Sequence, residues 1–527
     1  MIISERHKAL LIRSRAPQRI KAMVPHAKEV TVRGRQMLAL PHRVDEVRTL
    51  SNMGINAPSP ILHHYDWSRS ATIDNPFEAQ LATAAFLTLN RRAYVLNGLG
   101  SGKTLAALWA YDYLRRQGLA GKLLVTSPLS TLELTWGDAL FEHFPHLDFM
   151  VLHASREKRR KMLEQEADIY ITNHDGVKIL QDQLKDRPDI THVVVDELAQ
   201  CARNARTGRW KALNTVVNKG AFPKACWGLT ATPVPNCPSD AWAQCRLITP
   251  ESVPRYFTRF KQQVLRQVSQ FTWIPRKNAM DIVQEAMQPA IRFSREECVD
   301  LPPTTFTDRV VPLTPEQNKA YKAMETTLRA QVENGEVTAV NEAVKAMKLV
   351  QIACGILYDR GDTEDKTLVI PCKPRIEETQ DLIRSSLGKA IVFAPFVGVV
   401  DGLADILRDA GHRVGVIHGG IKKADRDDVF HGFQNGSSVD VIVAQPAAMS
   451  HGLTLTAAST IIWYAPPNSA DIYEQANGRI TRPGQKHNTL IVNIHGTAVE
   501  RRMYNRLKNK QKIQNVLLDR VVDSRVA

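Results

Sequence analysis

Ala93-Tyr94-Val95-Leu96-Asn97-Gly98-Leu99-Gly100-Ser101-Gly102-Lys103-Thr104 is the stretch whose reading decides the fold. A short apolar run enters a loop with glycine at 98, 100 and 102, and Leu105 to Leu114 (LAALWAYDYL) then has helical character. Strand, glycine loop and helix in that order is the context a phosphate-binding loop requires. Glycines let backbone N–H groups close around phosphate oxygens, and the N-terminus of the helix adds a favourable dipole. Gly98, Gly100, Ser101 and Gly102 are thus expected to form the cradle. Lys103 is expected to neutralise the β- and γ-phosphates of ATP, and Thr104 to ligate Mg2+. The competing reading is a stray glycine-rich turn, and the rest of the chain has to decide between them.

Working outward, β-rich runs alternate with helical stretches: KLLVTSP, FMVLHA, DIYITN, THVVVDE and ACWGLTATP. Near-continuous apolar strands of this length predict a parallel sheet covered by helices on both faces. The rhythm returns from Lys389 to His495 in KAIVFAP, RVGVIHG, VDVIVAQ, STIIWYAP and TLIVNIHG. The expected fold class is therefore α/β, with two parallel-sheet lobes. Residues 71–250 form the first lobe, 251–384 a helical insertion and linker, and 385–527 the second lobe, closed by a basic brace helix beyond Glu500. Residues 1–70, basic and punctuated by Gly34, Pro41, Gly54, Pro58 and Pro60, are expected as a small accessory domain.

The chain has 527 residues, 43% of them hydrophobic, which is enough to bury at least two cores. Its 69 Lys+Arg against 54 Asp+Glu leave a formal charge of +15, so either a polyanionic partner or a solvated basic surface follows. The seven cysteines form no C-x-x-C pair or zinc-like spacing and are expected as reduced thiols. The charged N-terminus does not serve as a signal-peptide core, and no run approaches the ~20 apolar residues that span a bilayer. A soluble, cytoplasmic protein is expected. Downstream of the glycine loop, THVVVDE ends on Asp196-Glu197. Paired carboxylates at a strand end can divide the chemistry: Asp196 would hold the metal shell while Glu197 orients and deprotonates the attacking water.

In order along the chain, these residues resemble the motifs of superfamily 2 helicases, and within them the Swi/Snf-type remodelling ATPases in a compact bacterial or viral form. Asn75-Pro76-Phe77-Glu78-Ala79-Gln80 is similar to the family's Q motif, which implies that Gln80 reads the adenine edge. VTSPLSTLELTW, Val125 to Trp136, resembles motif Ia and implies that Ser130 and Thr131 face a DNA strand. ITNHDGV from Ile171 resembles motif Ib, with Thr172 and Asn173 on phosphate oxygens. ARNARTGRWKAL resembles the (K/R)N element. Gly228 to Pro233 with Asn236 resembles motif III, so that Thr230 and Thr232 would couple the ATP site to DNA. The segment LPPTTFTDRVVPLTPEQNKAY, which ordinary helicases lack, favours the remodeller branch. In the second lobe IVFAPF resembles motif IV, and His451 to Tyr464 resembles motif V, with Gly452 and Thr454 on a phosphate. Gln475 to Gln485 (QANGRITRPGQ) resembles motif VI. There Gln475 would border the nucleotide, and Arg479 and Arg482, expected on one helix face, would act as arginine fingers.

Two departures stand out. The family usually has His fourth in motif II where this chain has Ala199, which puts coupling between ATP turnover and DNA in doubt; Gln200 is a candidate substitute. Motif I opens on Asn97 in place of a small residue, with little effect expected because backbone makes the cradle. The front segment resembles the small module preceding the motor in annealing-helicase relatives. Arg33, Arg35, Arg43 and Arg48 would there either contact DNA or form a solvated basic face.

The resemblance implies a monomeric ATP- and Mg2+-dependent motor that translocates on double-stranded DNA through phosphate contacts. Its rivals are a strand-separating helicase of replication or repair, and a nucleotide-gated DNA-binding scaffold with little turnover. A nuclease, polymerase or replication factor is the candidate protein partner.

Overall fold

The computed structural model describes residues 1–67, 76–270, 272–298, 301–333, 339–360, 365–449, 454–510 and 518. The chain divides into two compact units, Met1–Val299 together with Gln514–Ala527, and Asp300–Ile513.

The first unit opens with an antiparallel sheet of β1 (Ile2–Ser4), β2 (Ala9–Ile12), β3 (Lys28–Val32) and β4 (Arg35–Pro41) in the order β1-β2-β4-β3. Alternate residues Leu10, Ile12, Leu38 and Leu40 point to one face and pack with Val47 and Leu50 of the helix Val44–Asn52. This is the half-buried alternation expected of a sheet with one wet side. The fold there follows from period-two patterning that the turn residues obscure in sequence.

The main sheet contains β5 (Arg92–Val95), β6 (Lys122–Ser127), β7 (Phe149–Val151), β8 (Ile169–Asn173), β9 (Ile190–Val195) and β10 (Ala225–Leu229). Two further pieces come from the stretch expected as helical insertion. The first is a small antiparallel hairpin, β11 (Leu265–Gln267) with β12 (Trp273–Pro275), and the second is β13 (Ala290–Ile291). The order β13-β5-β10-β9-β6-β8-β7 is parallel throughout. Both faces are dry. Val193 and Val195 of β9 enter one core with Tyr94, while Val194 enters the opposite core with Ala93 and Val95. Successive side chains on a strand alternate faces, so an unbroken apolar run is what a sheet covered on both sides demands.

The second unit repeats the plan. Its strands are β14 (Thr304–Val310), the antiparallel hairpin β15 (Ile356–Arg360) and β16 (Asp365–Val369), then β17 (Lys389–Phe393), β18 (Val414–Ile417), β19 (Val441–Ala444), β20 (Ala458–Trp463) and β21 (Thr489–His495). The main sheet, β14-β21-β20-β17-β19-β18, is all parallel. Ala390 and Val392 face one core, Ile391 and Phe393 the other. The stretch 251–384 therefore supplies strands to both main sheets as well as helices. β13 is two residues long, too short to leave a pattern, and β14 is a polar Thr-Thr-Phe-Thr-Asp-Arg-Val edge without an apolar run.

All seven cysteines are free thiols. Among the described residues no helix is long and apolar enough to cross a membrane.

Candidate functional site

The carboxyl ends of β5, β10, β9 and β6, neighbours in the sheet, all point the same way, and open α/β sheets bind ligands at that edge. Each of the four strands delivers one group of expected site residues there. β5 leads into the glycine loop, β10 into Thr230–Thr232, β9 into Asp196-Glu197, and β6 into Ser127–Thr131.

In the loop, Gly100 and Gly102 adopt φ of 77° and 70°, the left-handed region that favours glycine. Gly102 immediately precedes the helix Lys103–Arg116, so the loop closes directly on that helix N-terminus. A Cβ on Gly102 would lie 2.0 Å from Nε2 of Gln80, so any other residue would have to displace that amide as well as hold a left-handed backbone. Ser101 Oγ donates to the Gly98 carbonyl at 2.8 Å, and Lys103 Nζ donates to the carbonyls of Asn97 and Gly98 at 3.0 and 2.9 Å. The lysine thus lies along the loop it would serve. Gln80 is buried, and its Oε1 accepts from Phe77 N at 2.8 Å, capping the helix Glu78–Leu89. Its amide therefore reaches the loop through Nε2, with the oxygen already engaged. Asn75 of the same motif lies outside the described residues.

Asn97 does more than sequence suggested. Its Nδ2 donates to Thr83 Oγ1 at 2.8 Å and its Oδ1 accepts from Phe293 N at 3.0 Å, so the side chain ties the loop to the helix before it and to the segment after β13. A small residue would remove both of these ties.

Asp196 is 8% exposed. Its Oδ2 accepts from Trp136 Nε1 and its Oδ1 from Glu197 N, each at 3.0 Å. Burial raises its carboxyl above the ordinary range, opposed by the Trp136 hydrogen bond, the nearby Lys103 ammonium and the Glu197 N–H. A carboxylate so desolvated favours a cation beside it. Glu197 has φ 46° and ψ 52°, a left-handed backbone that a non-glycine residue adopts at a penalty of about 1–2 kcal/mol. That turn breaks β9 away from the sheet and starts the helix Leu198–Ala202, in which Ala199 is buried and Gln200 exposed. Among the described residues no cluster of three His, Cys, Asp or Glu could hold a metal. Mg2+ in nucleotide sites needs none, since one or two protein oxygens share it with phosphates. Thr104 at the helix start and Asp196 fit that donor set. Trp136, fully buried, is a site residue that sequence reasoning quoted without a role; only the fold brings its indole N–H to Asp196.

Thr230 and Thr232 are buried, and Thr232 N donates to Thr230 Oγ1 at 3.2 Å. Of the residues expected on DNA, Ser130 is exposed. Thr131 is buried, its hydroxyl donating to the Pro128 carbonyl at 3.0 Å and 2.9 Å from Ser127 Oγ. Thr172 is fully buried with its hydroxyl turned to the Leu152 carbonyl, and Asn173 Oδ1 accepts from Arg159 at 2.9 Å. Small polar residues close to a strand end satisfy their own loop first. Arg48, offered as a DNA contact or a solvated face, is neither: it donates to the carbonyls of Thr88 and Leu89 at 2.7 and 3.1 Å, capping the helix Glu78–Leu89. Arg33, Arg35 and Arg43 are exposed.

In the second unit, Gly452 and His451 lie outside the described residues, while Thr454 is exposed and accepts from Arg482 at 3.1 Å. One expectation is corrected here. Arg479 and Arg482 do not share a helix face, because the helix Ala470–Asn477 ends before them. The residue before a proline is pushed out of the α region, and Pro483 follows Arg482. Arg482 Nε and Thr481 Oγ1 instead bond the carbonyls of Gly478 and Asn477, at 3.1 and 3.4 Å, capping the helix end. Arg479 is buried, and its carbonyl accepts from Leu455 N at 3.0 Å, joining this turn to the motif V segment. Gln475 is buried and donates to Asp471 at 3.1 Å.

Two family models match the chain, and the boundary between them falls within the second unit. Residues 93–356 match the model of the SNF2-related domain, and residues 374–484 that of the helicase conserved C-terminal domain. The phage protein p41 of Acyrthosiphon pisum secondary endosymbiont phage 1 is 24% identical over 81% of this chain and 95% of its own length. An uncharacterized ATP-dependent helicase of Mycoplasma genitalium is 24% identical over 79% of this chain. So is, over 77%, the SWI/SNF-related matrix-associated actin-dependent regulator of chromatin subfamily A-like protein 1 of Xenopus laevis. Each match covers only 39% of those two longer proteins. Among solved structures, the Sulfolobus solfataricus SWI2/SNF2 ATPase core in complex with dsDNA aligns at 22% identity and a TM-score of 0.40, over 84% of this chain and 93% of that one.

Proposed function

The chain belongs to the SNF2-related family of helicase-type, DNA-dependent ATPases, and from that premise we propose that it is a motor that translocates along double-stranded DNA, remodelling DNA structures or protein–DNA complexes. The observation that carries the ATP-driven part is the common edge of β5, β10 and β9. It gathers a left-handed glycine loop, Lys103 and a buried Asp196 with Glu197 turned out of the sheet beside it.

In this reading the backbone of Gly98 to Gly102 binds the phosphates, and Lys103 leaves the Asn97 and Gly98 carbonyls to pair with them. Thr104 and Asp196 would hold Mg2+, which would neutralise charge developing on the phosphates. Trp136 fixes the rotamer of Asp196. Glu197 orients the attacking water and takes its proton. Gln80 and Gln475 border the nucleotide, and Arg479 and Arg482 of the second unit serve as arginine fingers on the γ-phosphate. Thr230 and Thr232 pass the state of the nucleotide on to DNA. Ser130, Asn173, Gly452 and Thr454 are the DNA contacts, all on phosphates, so binding is sequence-independent and salt-sensitive. Thr131 and Thr172, with their hydroxyls turned inward, contribute by shaping these loops.

ATP turnover measured without DNA and with single-stranded, duplex and forked DNA tests the proposal, together with displacement of a third strand from a triplex. Stimulation by duplex and third-strand displacement without fork unwinding are expected. Fork unwinding would establish the strand-separating helicase instead. Negligible turnover on every DNA, or turnover that survives Lys103→Ala and Glu197→Gln, sinks the motor.

A further inference from the structure

Away from the nucleotide loop, the N-terminal domain carries a cavity of about 720 Å3. Its floor is the open side of β2, β3 and β4, and its far wall is Tyr113 and Gln117 at the end of the helix Lys103–Arg116. The size is that of a small-molecule site, which typically spans roughly 300–1,000 Å3.

Its charge is of one sign. Arg6 and Lys8 come from the turn between β1 and β2, Lys28 opens β3, and Arg43 precedes the helix Val44–Asn52. Among the described residues no Asp or Glu lines the cavity. None of these four cations has an ion-pair partner among the described residues, whereas Lys21 nearby is paired with Glu29 at 2.7 Å. Gathering unpaired cations around a concavity is repulsive unless an anion enters.

The wall behind them is fixed. His42 is buried, and its Nε2 lies 2.9 Å from the Pro58 carbonyl, which can only accept, so this nitrogen carries the proton. In its neutral form His42 therefore offers Nδ1 as acceptor to His64 Nε2 at 3.1 Å. The tautomer of both neutral rings follows from one carbonyl, and the hydrogen bonds hold the two imidazoles to each other and to the Pro58 carbonyl.

We propose that this cavity is a second phosphate-binding site, separate from the ATP loop, that takes a nucleotide-sized ligand bearing a terminal or clustered phosphate. A volume of this size accommodates one nucleotide unit, and the two sources of such a ligand are a phosphorylated strand end and a free polyphosphate. The site does not depend on the motor reading.

The test is calorimetric titration of the full chain, its ATP loop filled with a non-hydrolysable ATP analogue. The probes are 5′-phosphorylated trithymidylate, the same trimer with a 5′-hydroxyl, and inorganic triphosphate. Lys8→Glu/Lys28→Glu is expected to weaken the binding of the phosphate-bearing probe at least tenfold, and Lys8→Gln/Lys28→Gln by a smaller factor, with unchanged thermal melting and unchanged duplex-stimulated ATP turnover. Binding that needs the 5′-phosphate identifies a strand end; binding of triphosphate without either trimer identifies free polyphosphate. Failure of all three probes, equal binding to wild type and both double variants, or equal displacement by an oligoglutamate peptide overturns the proposal. Loss of turnover in Lys103→Ala with pocket binding intact separates its fate from that of the motor.

Discussion

His192 makes the first unit acid-sensitive by an amount that can be worked out. It sits in the middle of β9, 6% exposed, with its ring 5.5 Å from that of Trp227 and 6.4 Å from that of Tyr111. Burial, reinforced by the positive charges of Arg91 and Arg48, pushes its pKa down from 6.5 to about 4. Because the folded-state value is depressed, the unfolded chain binds the proton more readily. The stability His192 contributes is complete above pH 6.5 and is lost as pH falls towards 4. At 1.36 kcal/mol per pH unit, the loss over that window is about 3 kcal/mol. His192→Phe keeps an aromatic ring against Trp227 and removes the titration. Urea unfolding followed by tryptophan fluorescence at pH 7, 6, 5 and 4.5 should show the gap between wild type and variant shifting by about 2–3 kcal/mol in favour of the variant on acidification. Other groups titrate alike in both proteins and cancel. Parallel stability curves across that range would falsify the assignment.

Three further outcomes follow from individual contacts. Gly102→Ala drives a Cβ into Gln80 at a left-handed position and should abolish binding of a fluorescent ATP analogue, with a stability loss of about 1–2 kcal/mol from the backbone alone; normal affinity would refute the cradle. Trp136→Phe removes the donor that fixes Asp196, so the Mg2+ concentration for half-maximal turnover should rise severalfold while the affinity for metal-free ATP stays constant; an unchanged Mg2+ requirement assigns Trp136 to packing only. Glu500→Ala strands the buried Arg375 guanidinium, 2.8 Å from Glu500 Oε1, and should destabilise the second unit by about 3–5 kcal/mol in denaturant unfolding.

Legibility in the sequence tracked how local each feature is. The two parallel sheets were readable because strands buried on both faces are written as continuous apolar runs such as THVVVDE and STIIWYAP. The glycine loop was readable because strand, loop and helix are consecutive. Side-chain engagement was not. Thr131 and Thr172 have the composition of phosphate donors, yet their hydroxyls are turned to carbonyls a few residues or a strand away. Gln80 and Arg48 serve as helix caps, roles fixed by where neighbouring backbone groups end. The Arg479–Arg482 spacing suggests a helix, whereas the helix ends at Asn477, before either arginine. Trp136 and Asn97 act on partners 60 and 196 residues away, a distance no periodicity encodes.

The same long reach bears on how the protein is made. Tyr94 of β5 pairs with Ala290 of β13, and Thr304 of β14 with Thr489 of β21. At synthesis rates of about 5–20 residues per second, each early strand leaves the ribosome on the order of 10–40 s before its partner exists. During that interval β5 has a bare hydrogen-bonding edge, the kind that recruits other chains. Nascent copies stalled between these pairs should be the aggregation-prone species, and slowed translation between residues 95 and 290 the condition that lowers soluble yield.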